Sequence, residues 1–108
     1  MLNENKLDLK NFIDLYSPNS KQEELLIQYI ELVEEWSAKT NLVSSSDVTK
    51  IAGKHIVESM LFNDIDIIKD EQHIVDLGSG AGFPGIPLKI FNPNNRFTLV
   101  DSRKMKAL

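Results

Sequence analysis

The chain has 108 residues, 42% hydrophobic and 26% charged, which is the balance of about one small globular domain. Its net charge of -4 provides no general basic field for nucleic acid, so any RNA contact has to be local or supplied elsewhere. Cysteine is absent, which excludes disulfides, thiolate metal sites and a cysteine nucleophile. No apolar run approaches the roughly 20 residues of a membrane span, and the start Asn3-Glu4-Asn5-Lys6 lacks a signal-peptide core. A soluble, cytoplasmic protein is the expectation.

Helical signals fill the first 62 residues. Leu7, Leu9, Phe12, Ile13 and Leu15 predict a short first helix, ended before Tyr16-Ser17-Pro18-Asn19 because proline disfavours helix in the residue before it. Ser20 followed by Glu23 has capping-box spacing. Beyond it, Leu25, Tyr29, Leu32, Val33 and Trp36 recur along one face and predict a helix over about 21–39. Tyr29 and Trp36 read as core, since large aromatics dominate buried area and no basic residues interleave them. A further helix is expected to open in Ser44-Ser45-Ser46-Asp47, with Val48, Ile51, Ala52, His55, Ile56 and Met60 on one stripe. These elements form a helical cap over 1–62.

The organisation changes between Asn63 and Gln72, where Asp64, Asp66, Asp70 and Glu71 read as a solvated linker without calcium-loop spacing. His73 to Leu77 reads as a buried strand, Pro84 to Phe91 as a helix and Arg96 to Val100 as a second strand, parallel because a helix connects them. Asp101 falls at the tip of the second strand, where cofactor-contacting residues of open α/β sheets collect. Ser102 to Leu108 reads as the first turns of another helix, and Arg103, Lys104 and Lys106 form the one basic cluster, read first as a charged helix surface. Two parallel strands bury little of either sheet face, so residues 63–108 read as an incomplete first βαβ unit, and the chain as truncated. Residues supplied by another chain, or a cap covering the sheet, are the alternatives.

The loop between strand and helix carries the chemistry. Gly80-Ala81-Gly82-Phe83-Pro84-Gly85 matches G-x-G-x-x-G, with Asp101 roughly 20 residues on, as in dinucleotide-binding proteins. A second frame, Asp76-Leu77-Gly78-Ser79-Gly80-Ala81-Gly82, uses more residues. In it the strand-end acid lies near a cofactor's amino acid part, the glycines admit its backbone and sugar, and Asp101 accepts from ribose hydroxyls. This suits S-adenosylmethionine, which has no pyrophosphate, so Pro84 near the helix start is tolerated although it lacks an amide donor. A tight turn without ligand is the bland alternative, disfavoured by the Asp76 and Asp101 pair.

Asp76 through Leu88 resembles the first cofactor motif of the ribosomal RNA small subunit methyltransferase G family (glucose-inhibited division protein B), including its Phe-Pro-Gly-Ile-Pro-Leu extension. Thr98-Leu99-Val100-Asp101-Ser102 resembles its second-strand motif, and Lys54-His55-Ile56-Val57-Glu58-Ser59 its Arg/Lys-His-x-x-Asp/Glu-Ser helix. Trp36 through Asn41-Leu42 is similar to its Trp-Asn-x-x-x-Asn-Leu segment, with Ser37 in place of the usual asparagine. Ser46-Asp47-Val48 stands where Arg-Asp-Pro is common. The likeness covers essentially the whole chain but only about the N-terminal half of the family's usual length.

That resemblance implies an α/β fold, a class I (Rossmann-like) methyltransferase sheet behind an N-terminal helical region, and methylation of a guanine at N7 in 16S ribosomal RNA. It implies S-adenosylmethionine as cofactor, held by Asp76, Gly78, Ser79, Gly80, Phe83 and Asp101. It implies neither a membrane nor DNA as partner. Guanine N7 already exposes a lone pair, so no general base is assigned. His55 on its apolar stripe reads as a packed residue and Lys54 as a solvated one. Weak or absent turnover is expected from these residues alone. A nicotinamide oxidoreductase and a non-catalytic module pairing its strand edge are the other readings.

Overall fold

In a computed structural model of the chain, every residue is described except Asn41, Asp66, Ile67, Ser79 and residues 102–108. The expected last helical turns, with Arg103, Lys104 and Lys106, therefore lie outside the described residues, as does Asp66 of the acidic stretch.

Helix α1 (Asn3–Tyr16) begins before Leu7 and stops at Ser17, which takes the left-handed conformation just ahead of Pro18 and donates its N–H to the Ile13 carbonyl at 2.9 Å. Helix α2 (Ser20–Thr40) starts with a capping box, shifted by one residue from the expected Ser20 and Glu23. Asn19 Oδ1 accepts the Gln22 N–H at 2.8 Å, and Gln22 Oε1 accepts the Asn19 N–H at 2.9 Å. Asparagine is as good an N-cap as serine, and its reciprocal bonds satisfy two amides that helix geometry leaves open.

The buried face of α2 is Leu26, Tyr29, Ile30, Val33 and Ser37. The expected stripe was rotated off this face: Tyr29 and Val33 are core, but Trp36 is 40% exposed and carries Lys39 Nζ 5.3 Å above its ring. Leu26 and Ile30 are fully buried whereas Leu32 is exposed; the two stripes share the same helical spacing, and packing against the neighbouring elements decides which one is covered.

Buried Asn5 of α1 decides the shape of the next segment. Its Nδ2 donates to the Val48 carbonyl at 2.8 Å and to Glu34 Oε2 at 2.7 Å, while its Oδ1 accepts the Ala52 N–H at 3.3 Å. Val48 and Ala52 are the pair that a regular α-helix would join directly. With a side-chain amide inserted between them, the expected single helix becomes a 3-10 turn (Val48–Lys50), a π-helical turn (Ile51–Ile56) and only then helix α3 (Val57–Asp64). Ile51, Ala52, Ile56 and Met60 still line the buried stripe, and Val48 and His55 are half-buried on it. Asp64 is the last residue of α3 and accepts the Tyr16 hydroxyl at 3.3 Å, so it belongs to the helix and not to the linker.

Strand β1 (His73–Leu77), helix α4 (Gly85–Phe91) and strand β2 (Arg96–Val100) form a parallel two-stranded sheet with its crossover, in register from His73 opposite Arg96 to Leu77 opposite Val100. The chain is thus a helical N-terminal region followed by a small parallel α/β unit. Ile74 and Asp76 are half-buried, but His73, Val75 and Leu77 alternate with them and are exposed, Leu77 by 77%. The expected buried strand is therefore covered on one face only, because a single crossover helix packs on a single face. One apolar core joins Leu9, Phe12, Leu26, Ile30, Val33, Ile51, Ile56 and Met60 to Ala81, Leu88 and Ile90. No helix among the described residues is long and apolar enough to cross a membrane.

The corrected stripe sets an expectation for unfolding in denaturant. Ile30→Ala is expected to cost about 2–5 kcal/mol through the cavity it leaves, and Trp36→Ala less than about 1 kcal/mol. Equal losses would place Trp36 back in the core.

Candidate functional site

The register of the two strands brings their C-terminal tips side by side. Asp76 pairs with Leu99, so Asp101 lies beyond the end of β2 at the level of the bend that follows β1. The Gly78 N–H donates to the Val100 carbonyl at 2.6 Å and extends the ladder one step past Leu77. The chain then turns through Gly78, Gly80 and Gly82, at φ of 71°, 54° and 96°. All three conformations are left-handed, a region that side chains with a Cβ enter only with strain.

Both strand-tip carboxylates close on the backbone of this bend. Asp101 Oδ2 accepts the Gly80 N–H at 2.7 Å, and Asp76 Oδ2 accepts the Gly85 N–H, at the first turn of α4, at 3.0 Å. Partial burial pushes the Asp76 carboxyl above the usual aspartate range, and the Gly85 amide works against that by favouring the ionised form. A Cβ on Gly85 would meet the Leu99 side chain and lie 2.9 Å from Asp76 Oδ2, so the close seating of the carboxylate depends on glycine there. At Gly78 a Cβ would meet nothing within 4 Å, which leaves the main chain open to an approaching ligand.

Of the residues singled out in the sequence, Asp76, Gly78, Gly80 and Asp101 converge on the bend. Ser79 lies outside the described residues. Phe83 is turned toward the helical region: its ring meets Tyr29 edge-on at 5.5 Å and stacks on His55 at 5.0 Å. One edge of that stack opens on a hollow of about 160 Å³ lined by His55, Glu58, Ser59, Phe62, Phe83 and Pro84. His55 Nε2 is 3.5 Å from Asp47 Oδ1, beyond a well-formed hydrogen bond, which makes the imidazole a packed support of the loop. Asp47 is itself held below the usual range, chiefly by the hydroxyl of Ser44 and then by His55 and Lys54.

The sequence concealed the part that Tyr29 plays. Its hydroxyl donates to the Ala81 carbonyl at 2.6 Å across 52 positions of chain, and both groups are buried. Helical spacing explains the ring but not the hydroxyl, although a buried tyrosine usually needs such a partner. Among the described residues no group of histidine and carboxylate side chains could hold a metal ion.

A family profile described as GidB, rRNA small subunit methyltransferase G, matches residues 22–108. The chain belongs to this family. Relatives named ribosomal RNA small subunit methyltransferase G include those of Clostridium novyi, 36% identical over 82% of this chain, and Chlorobaculum tepidum, 43% identical over 76%. That of Colwellia psychrerythraea is 40% identical over 78%. The matches cover 36%, 38% and 39% of these relatives, so the chain spans well under half their length. The profile takes in α2 from its first turn onward, the irregular segment with His55, and the whole glycine bend.

The raised Asp76 carboxyl gives a pH signature. A folded value above the unfolded one favours the protonated state, so this contribution to stability is full below the ordinary aspartate range and is lost as pH rises through the native value. Asp76→Asn can still accept the Gly85 N–H. Relative to the parent it is expected to be more stable at about pH 7 than at about pH 3, read from urea midpoints. The opposite sign would show that the amide bond outweighs desolvation.

Proposed function

We propose that the chain is the glycine-loop portion of an S-adenosylmethionine-dependent, class I (Rossmann-like) methyltransferase that modifies guanine at N7 in 16S ribosomal RNA. In this reading residues 1–62 are a helical cap, residues 63–108 open the methyltransferase sheet, and the protein works in the cytoplasm. Asp76, Gly78, Ser79, Gly80, Phe83 and Asp101 are the cofactor-holding residues.

One observation carries the reading. Carboxylates at neighbouring strand tips grip a bend whose main chain stands open at Gly78, in a chain of the methyltransferase G family. A carboxylate can accept several hydrogen bonds at once, so holding the Gly80 amide is compatible with Asp101 also meeting ribose hydroxyls. When bound, S-adenosylmethionine supplies an electrophilic sulfonium methyl group. The protein's part is to hold donor and base in line and to keep water away, which accounts for a large share of such rate enhancement. Guanine N7 carries its own lone pair and needs no base.

The dinucleotide reading meets an electrostatic objection at the same place. A pyrophosphate would sit at the start of the helix following the glycines, where Asp76 already presents a carboxylate to the Gly85 amide. Two like charges competing for one amide oppose each other.

Calorimetry on the intact protein with S-adenosylmethionine and with a nicotinamide dinucleotide separates these readings, and methyl transfer to 16S ribosomal RNA tests the substrate. Gly78→Val places a β-branched side chain at φ of 71°, at a strain of about 1–3 kcal/mol, and fills the open approach. It is expected to abolish cofactor binding. Undiminished affinity would reduce the bend to a turn.

A further inference from the structure

We propose that Tyr29 is a positioning residue for the cofactor loop: by holding the Ala81 carbonyl in the helical core, its hydroxyl fixes the 81–82 peptide and turns the Gly82 N–H outward. This rests on the reading of the bend as the seat of an adenosyl cofactor, and it extends the site to a residue far away in sequence.

The peptide in question is a soft one. Ala81 stands between Gly80 and Gly82, both at positive φ, so few side-chain constraints decide which way its carbonyl points. A buried hydrogen bond of 2.6 Å from Tyr29 makes that decision. The one cis bond among the described residues is Phe83-Pro84, so the 81–82 peptide is trans and its N–H points opposite to the carbonyl that Tyr29 holds. Fixing one end of the peptide therefore sets the other.

Two further contacts and the setting of the phenol show the tyrosine fitted to this task. A Cβ on Gly82 would run into Ile86 and come within 3.3 Å of the Tyr29 hydroxyl, so this close approach calls for glycine at 82. The Tyr29 ring braces Phe83 edge-on while His55 stacks on the same ring, which limits the swing of the next residue along. Burial, with the Asp76 charge nearby, drives the phenol far above its ordinary pKa, so the hydroxyl remains a donor at any physiological pH.

The test compares Tyr29→Phe with Val33→Ala in the intact protein. Val33 is a buried residue of the same helix, one turn on, and its side chain has no hydroxyl with which to hold the loop. Tyr29→Phe is expected to weaken S-adenosylmethionine about 10-fold. Val33→Ala is expected to lower the melting temperature at least as much and to leave the dissociation constant within about 2-fold. Incorporation of 3-fluorotyrosine at position 29, which keeps the hydroxyl, should preserve parental affinity. If Tyr29→Phe is too unstable alone, sucrose favours the compact state and keeps the comparison readable. Parental affinity in Tyr29→Phe, or an equal loss in Val33→Ala, overturns the role of Tyr29. Failure of the parent protein to bind S-adenosylmethionine overturns instead the reading of the bend, and the ligand assigned here with it.

Discussion

The turn from β1 into α4 holds its shape because two carboxylates, carried to it by neighbouring strands, take up its amides. Parallel register is what makes this possible. With Asp76 opposite Leu99, the end of one strand delivers a carboxylate to Gly85 and the end of the other delivers Asp101 to Gly80. A bend with three left-handed glycines has little intrinsic preference for one path, and each glycine loses more chain entropy on ordering than any other residue. Charge-assisted bonds to its amides, roughly twice as strong as neutral ones, are well matched to that cost. Within the same bend a Cβ at Gly78 would meet nothing within 4 Å, so a loop ordered in this way is also approachable.

The helical region completes the restraint from the opposite side. Tyr29 holds the Ala81 carbonyl, and His55 and Tyr29 enclose the Phe83 ring, so the bend is gripped by strand tips at its amides and by helices at its carbonyl and side chain. The placement of His55 depends in turn on Asn5, whose inserted amide converts the start of its helix into 3-10 and π turns. A π turn widens the helix and changes the direction in which later side chains leave it. The chain of dependence thus runs from a buried asparagine in α1, through the irregular segment, to the aromatic ring that follows the glycines.

What could be read in the sequence follows from the kind of signal each feature leaves. Periodicity located α2, α4 and both strands to within a few residues, and the glycine spacing with its two acids located the bend, because both are patterns in one dimension. The rotated stripe of α2 was not legible, since Leu25, Leu26, Tyr29, Ile30, Leu32, Val33 and Trp36 offer two overlapping apolar faces and only the neighbouring helices choose between them. Asn5 and the Tyr29 hydroxyl were hidden for a different reason. Asn5 acts on the backbone of Val48 and Ala52 and the tyrosine on that of Ala81, and partners 43, 47 and 52 positions away leave no mark in local spacing. Resemblance to a family named the region of the bend, but neither of these two supports lies in a motif that carries it.

The position of Asp76 shows how structure can discriminate between chemistries that a motif leaves open. The letters G-x-G-x-x-G fit a dinucleotide, yet the amide at which such a loop would receive a pyrophosphate is taken by a carboxylate from the same chain. An anion placed there would face both repulsion from Asp76 and loss of the bond that holds it. A sulfonium cofactor reverses the sign of the first term: its cationic centre is attracted by the carboxylate that would repel phosphate. The half-buried setting that pushes Asp76 upward also lowers the local dielectric, so that preference for a cation over an anion is stronger here than at an open surface. In the proposed reading, the residue that anchors the loop is therefore also the one that sets the charge of what the loop accepts.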